Sequence, residues 1–352
     1  MTATDTLPND VRAGRASLMV LLVVIGTTLL VDVLARDDGL AAWIHGRWVE
    51  KWEGSDNCPP RWPYFDMSDR VFLDRIPNAD FSQGAVCFLG SSNLGTAVTP
   101  WVLPQERRDL VHYYNVPGSS HTDHKNFVRY LIDHEGFLEA GGDKTLVVMA
   151  VFYGSSKRNS WFANAFIHGL HTYDRDRGIE PTGASWLYRL LRTEKVRCRS
   201  FLLTCNTVLH LTGDMTFDVD LWPNPWSRAY PKEEFQANWT SRMSPEWDAN
   251  MDAELHELAE AIDLLQSHQA HAAIALLPIG SWGRELPFHS AFVERVSALA
   301  AARSVRLVDL SELLTDDEFS DQVHMNHAGA TKSHAALMEI AADHLREIAP
   351  PR

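Results

Sequence analysis

The sequence predicts a three-layer α/β/α fold on a mostly parallel, five-stranded sheet, preceded by an N-terminal transmembrane helix. Three observations predict it. Five short apolar runs recur between residues 85 and 310. Helix-like stretches separate them. An uncharged run, 18–31 (LMVLLVVIGTTLLV), lies near the start of the chain.

The runs are AVCFLG (85–90), LVHYYNV (110–116), TLVVMAVFY (145–153), AAIALLPIG (272–280) and VRLVDL (305–310). They are continuous rather than alternating, as suits strands covered on both faces. Helices are expected at about 124–136, 157–172, 184–196, 248–270, 288–303 and 328–347. In 248–270, Met251, Leu255, Leu258, Ile262 and Leu265 form an apolar stripe at three- and four-residue steps. Strands alternating with helices imply a parallel sheet whose ligands sit at the strands' carboxyl ends. The turns at 90–93, 116–120 and 153–156 fall there.

Counted from Ala16 to Ala35, the first apolar segment has 20 residues with Asp32 as its one internal acid, long enough to span a bilayer. Arg12 and Arg15 precede it. The expected organisation is a cytoplasmic 1–15, a signal-anchor at 16–35, a Trp- and Pro-rich membrane-proximal linker at 36–84 and an α/β domain at 85–350. That domain carries an aromatic-rich insertion at 155–245. Cleavage after Val33-Leu34-Ala35 is the alternative and would release a secreted protein. Either way, the residues beyond 36 lie outside the cytoplasm.

Lys and Arg number 32 against 46 Asp and Glu, a formal charge of −14, which argues against a nucleic-acid partner. The four cysteines form no CxxC pair. Cys198 and Cys205, seven apart, could pair in an oxidising compartment, while Cys87 sits in an apolar run and reads as a small buried hydrophobe. No Walker loop, GxGxxG, GxSxG or HExxH motif occurs, and no metal or other cofactor is expected. The histidines of His121-Thr122-Asp123-His124, and His168 with His171, are close pairs that sixteen histidines produce by chance.

Two turns carry chemistry. Gly90-Ser91-Ser92-Asn93 follows the first run and leads into a helix start. Such a turn exposes a hydroxyl beside backbone N–H groups, which a nucleophile and its oxyanion both need. Asp321-Gln322-Val323-His324 follows the last run, and an Asp three residues ahead of a His can orient its Nδ1, leaving Nε2 to take a proton from a serine. Each turn alone also reads as a helix cap.

Together these turns resemble the SGNH (GDSL-like) hydrolase family, and the Gly-Ser-Ser form with an N-terminal apolar segment is similar to its membrane-anchored, DltD-like branch. The resemblance spans roughly 85–347. It implies an SGNH/flavodoxin-like fold in which Ser92 is the nucleophile, His324 the base and Asp321 its orienter. Gly118, in Asn115-Val116-Pro117-Gly118, matches the block that lends an N–H to the oxyanion hole. The third block departs from the family: Phe152-Tyr153-Gly154-Ser155-Ser156 stands where Gly-x-Asn-Asp is usual. The hole is then expected from Ser92 and Gly118, with Ser155 as a third donor. Asn93, Trp222 and Trp226 are the expected substrate-binding residues. The resemblance implies a membrane-tethered, periplasmic esterase or O-acyltransferase acting on acyl esters of envelope glycans. Its expected partners are the acylated glycan, the bilayer and a membrane acyl-transfer protein. A catalytically inactive glycan-binding or assembly protein on the same fold is the alternative.

Overall fold

The five apolar runs become the five strands of one sheet. A computed structural model describes residues 76–98, 110–156, 169–193, 232–243, 245–319 and 323–348, with Phe72, Phe166 and six residues of the N-terminal run. The strands in chain order are β1 (Ala85–Gly90), β2 (Val111–Asn115), β3 (Thr145–Val151), β4 (His171–Asp174), β5 (Gly178–Pro181), β6 (His271–Leu276) and β7 (Arg306–Asp309). The main sheet has the order β2-β1-β3-β6-β7, and all four pairings are parallel. The helices are α1 (Ser92–Ala97), α2 (His121–His134), α3 (Lys232–Arg242), α4 (Trp247–Ser267), α5 (Ser281–Arg284), α6 (Pro287–Ala302) and α7 (His327–Ile348).

β1 and β3 are buried along their whole length because helices cover both sides of the sheet. Ala85, Cys87, Leu89, Val147, Met149, Val151, Ile274 and Leu276 point into one core, filled by α2, α4 and α6. Their alternates Val86, Phe88, Leu146, Val148, Ala150, Ala273 and Ala275 point into a second core, filled by α1 and α7. This is the three-layer α/β/α arrangement. Cys87 is buried as expected, and burial pushes its thiol far up, out of the range of a reactive thiolate.

Three segments differ from the reading of the sequence. The end of the linker belongs to the core: Phe72, Ile76 and Phe81 are buried, and the Phe72 ring meets Phe127 edge-on at 5.5 Å. The last two residues of the helix expected at 157–172 are instead strand, since β4 starts at His171 and pairs antiparallel with β5. That hairpin has too few residues to show a period, and tertiary bonds hold it. Tyr173 donates to Asp123, and Asn126 Nδ2 donates to the Arg175 carbonyl at 2.9 Å. Arg175 also meets the buried Glu254 of α4 at 2.5 Å. The third difference is α3, in a part of the aromatic-rich insertion where no helix is expected. Only Phe235 and Trp239, one turn apart, mark its buried side, against Trp282 and Tyr153.

Among the described residues no helix is long and apolar enough to cross a membrane. Most of the 16–35 run lies outside them. Its described members, Ser17, Met19, Val20, Val23, Gly26 and Leu30, are helical and exposed. Cys58, Cys198 and Cys205 also lie outside the described residues.

Burial lowers His121 to about 3 and His334 to about 4, from an ordinary imidazole value of 6.5. The folded chain therefore refuses protons that the unfolded chain binds. The resulting stability is present above pH 6.5 and is lost as pH falls toward 4 and then 3, at about 1.4 kcal/mol per pH unit for each such group. Urea unfolding of the full chain should show a lower midpoint at pH 5 than at pH 7. His121→Phe should flatten that acid limb, because its ring stacks on Phe292 and needs no polar partner. An unchanged limb would mean that His121 titrates normally in the fold.

Candidate active site

In an open parallel sheet the crevice forms where the strand order reverses. Here that point lies between β1 and β3. The register sets Gly90 beside Asn115 on one side and beside Ala150 on the other, so three connections leave the sheet together: 91–92, 116–120 and 152–156.

Gly90 closes β1 without a side chain for a steric reason. A Cβ there would lie 2.7 Å from the Ala150 carbonyl oxygen and 2.9 Å from Leu94 Cβ. The chain then turns through Ser91, extended at φ −88° and ψ −161°, into α1. Ser91 and Asn93 are buried, and Ser92 between them is partly exposed. Ser92 Oγ lies 3.0 Å from His324 Nε2, across 232 positions of sequence. These two expected site residues are thus brought together, and Nε2 rather than Nδ1 faces the hydroxyl. Asp321 lies outside the described residues.

Gly118 sits in the turn after β2. Its φ of +71° is left-handed backbone that glycine adopts without strain, and Ser119 N–H closes the turn on the Val116 carbonyl at 3.1 Å. Val116 N–H donates to the Gly90 carbonyl at 2.9 Å, which fastens this turn to the end of β1. Ser155 lies in the short 3-10 turn after β3. Its N–H is taken by the Phe152 carbonyl at 2.9 Å. Its hydroxyl is buried without a hydrogen-bond partner among the described residues. Ser155 can therefore offer only its hydroxyl as a donor, not its main chain.

Asn93, expected among the substrate-binding residues, is turned inward. It is 1 % exposed, and its Nδ2 donates to the Val323 carbonyl at 2.8 Å. The first turn of α1 packs inward, so only the Ser92 side chain reaches the crevice. Trp222 and Trp226 lie outside the described residues. Of the other aromatics in the insertion, Phe166 and Trp239 pack into the core, while Trp186 is 75 % exposed.

The 119–124 run, rich in Ser and His, is the start of α2. Ser120 and Asp123 form a capping box, and Ser119 Oγ lies 2.8 Å from His124 Nε2. His121 and His124 are fully buried. No cluster of three or more His, Cys, Asp or Glu suited to a metal ion occurs among the described residues. Thr96 also belongs to the site, bonded to the turn that carries His324. Its Oγ1 accepts from Met325 N–H at 3.3 Å, a contact without local sequence signal.

No protein-family model matches the chain, and no curated protein matches it. The class that fold and site define is an α/β/α protein with a Ser–His pair at the carboxyl end of β1, beside the sheet's switch point.

Gly90→Ala should destabilise the protein by about 1–3 kcal/mol, because the nearest atom to the new methyl is a main-chain oxygen of the neighbouring strand. Thermal or urea unfolding measures this. An unaltered midpoint would mean that β1 and β3 separate easily at their carboxyl ends.

Proposed function

We propose that the protein is a serine esterase or O-acyltransferase of the SGNH type, in its membrane-anchored, DltD-like branch. The observation that carries the reading is the 3.0 Å approach of Ser92 Oγ to His324 Nε2 at the sheet's switch point. That distance is within reach for direct proton transfer.

In this reading Ser92 Oγ attacks the carbonyl carbon of an acyl ester while its proton passes to His324 Nε2. The carbonyl π electrons move to oxygen, and the Ser92 and Gly118 N–H groups, with the Ser155 hydroxyl, stabilise that oxyanion. Collapse breaks the bond to the departing alcohol, which takes the proton from Nε2. An acyl ester of Ser92 remains. Water or a sugar hydroxyl then attacks it, gives its proton to Nε2 and receives the acyl group, and Ser92 leaves with that proton. Water gives an esterase, and a glycan hydroxyl gives an O-acyltransferase. Asp321, three residues before His324 in the sequence, is proposed to orient Nδ1 and stabilise the imidazolium.

The apolar 16–35 run supports a tether with the α/β domain outside the cytoplasm, in the periplasm. A tether suits a substrate fixed in the envelope, such as an acylated glycan delivered by a membrane acyl-transfer partner. Trp222 and Trp226 are proposed to stack on its sugars.

One observation favours a second reading. The Asn side chain usual after the third strand is replaced by Ser155, whose N–H is already bonded. Loss of one oxyanion donor costs about 2.7–4 kcal/mol of transition-state stabilisation, which would suit a glycan-binding or assembly protein that retains the fold.

A fluorophosphonate probe should label the wild-type protein and leave Ser92→Ala unlabelled. His324→Gln should slow labelling by about 10³-fold or more. Labelling that survives Ser92→Ala would reject the nucleophile. Acyl release or transfer on a panel of acylated glycans, with Ser92→Ala as control, then separates esterase from transferase. Sequencing the N-terminus of membrane-extracted protein tests the tether, since a chain beginning at Arg36 would mean a cleaved signal.

A further inference from the structure

We propose that Asn93 and Thr96 are positioning residues that set where His324 stands relative to Ser92. The inference rests on the reading of Ser92 and His324 as a proton-transfer pair, and it adds a reason why two turns so distant in sequence meet at the right spacing.

The two side chains bond the residues on either side of His324. Asn93 Nδ2 donates to the Val323 carbonyl at 2.8 Å, and Thr96 Oγ1 accepts from Met325 N–H at 3.3 Å. His324 is thus held by its neighbours' main chain, while its ring is left to face Ser92. Both bonds are buried: Asn93 is 1 % exposed and Thr96 7 %. Without water to replace it, each lost partner leaves a buried polar group unsatisfied.

The hydroxyl of Thr96 also has a defined orientation. Its proton goes to the Asn93 carbonyl at 3.1 Å, so only its lone pairs remain for Met325 N–H. Asn93 Oδ1 in turn accepts from Ser91 Oγ at 3.4 Å, which fixes which end of the amide faces Val323. Ser92, Asn93 and Thr96 share one helix of six residues. Nucleophile and clamp therefore move as one body, and thermal motion that shifts α1 carries His324 with it.

The far side of the turn has its own support. Asn326 N–H donates to the Glu318 carbonyl at 3.0 Å, Asn326 Nδ2 donates to the Asp317 carbonyl at 2.7 Å, and Phe319 bridges to Met325. Removing the α1 bonds should therefore release His324 from Ser92 without unfolding the turn.

The test uses full-length Thr96→Val, Thr96→Ser and Asn93→Ala, with two readouts. One is the rate and pH profile of fluorophosphonate labelling. The other is the His324 imidazole NMR signal, assigned by its loss in His324→Gln. Thr96→Val and Asn93→Ala should label about tenfold or more slowly, with a flattened pH profile, while Thr96→Ser should stay within about twofold of wild type. In the first two, the His324 signal should move toward its position in Ser92→Ala. Folded variants that label at the wild-type rate would overturn the proposal. So would slowed labelling with an unmoved His324 signal, since that marks a loss of stability alone. Should Asn93→Ala fail to fold, the Thr96→Val and Thr96→Ser pair decides. A wild-type protein that takes no label would sink the nucleophile reading instead, and the His324 signal alone would then judge the clamp.

Discussion

The site depends on one helix of six residues. α1 lies between the carboxyl edge of the sheet and the turn that carries His324, and it is bonded to both. Its start is set by Gly90, where two backbones approach too closely for any side chain. Its inner face holds Leu94 and Ala97 in the second core. Its polar side chains reach across to Val323 and Met325. Core packing thus fixes the helix, and the helix fixes the geometry of the Ser92–His324 pair. This is how a buried scaffold places a polar contact within a few tenths of an ångström.

The sheet sets the remaining geometry. Because all its pairings are parallel, every connection at one edge starts from a carboxyl end. The strand order reverses beside β1, so the connections after β1, β2 and β3 crowd one crevice. Gly118 and Ser155 arrive there by topology. Gly118 also takes left-handed backbone to make its turn, which gives that glycine a structural reason to be present. The neighbouring histidines serve packing: His121 stacks flat on Phe292, and desolvation keeps it neutral.

Much of the fold was legible because it rests on hydrophobic pattern. The run at 85–90 predicted β1 to the residue, and those at 145–153 and 272–280 predicted β3 and β6 with ends at most four residues away. The stripe from Met251 to Leu265 predicted α4. The hairpin of β4 and β5 was not legible, since four-residue strands carry no period and owe their place to Asp123, Asn126 and Glu254 on other elements. α3 escaped for a similar reason: only Phe235 and Trp239 give it an apolar side, and the remainder of the helix, Ala237 apart, is polar.

The site divides along the same line. Sequence alone determined the residue types: a serine in a Gly turn after the first strand, and a histidine three residues past an aspartate after the last. Those are local patterns, and backbone chemistry near a strand end makes them readable. Tertiary structure alone decided that Ser92 and His324 meet, and that Asn93 turns inward to the Val323 carbonyl rather than outward to a ligand. The reason is physical. A hydrogen bond between residues some 230 positions apart leaves no periodicity in the chain, and only the packing of α1 against the His324 turn determines which side chain is buried and which stays exposed.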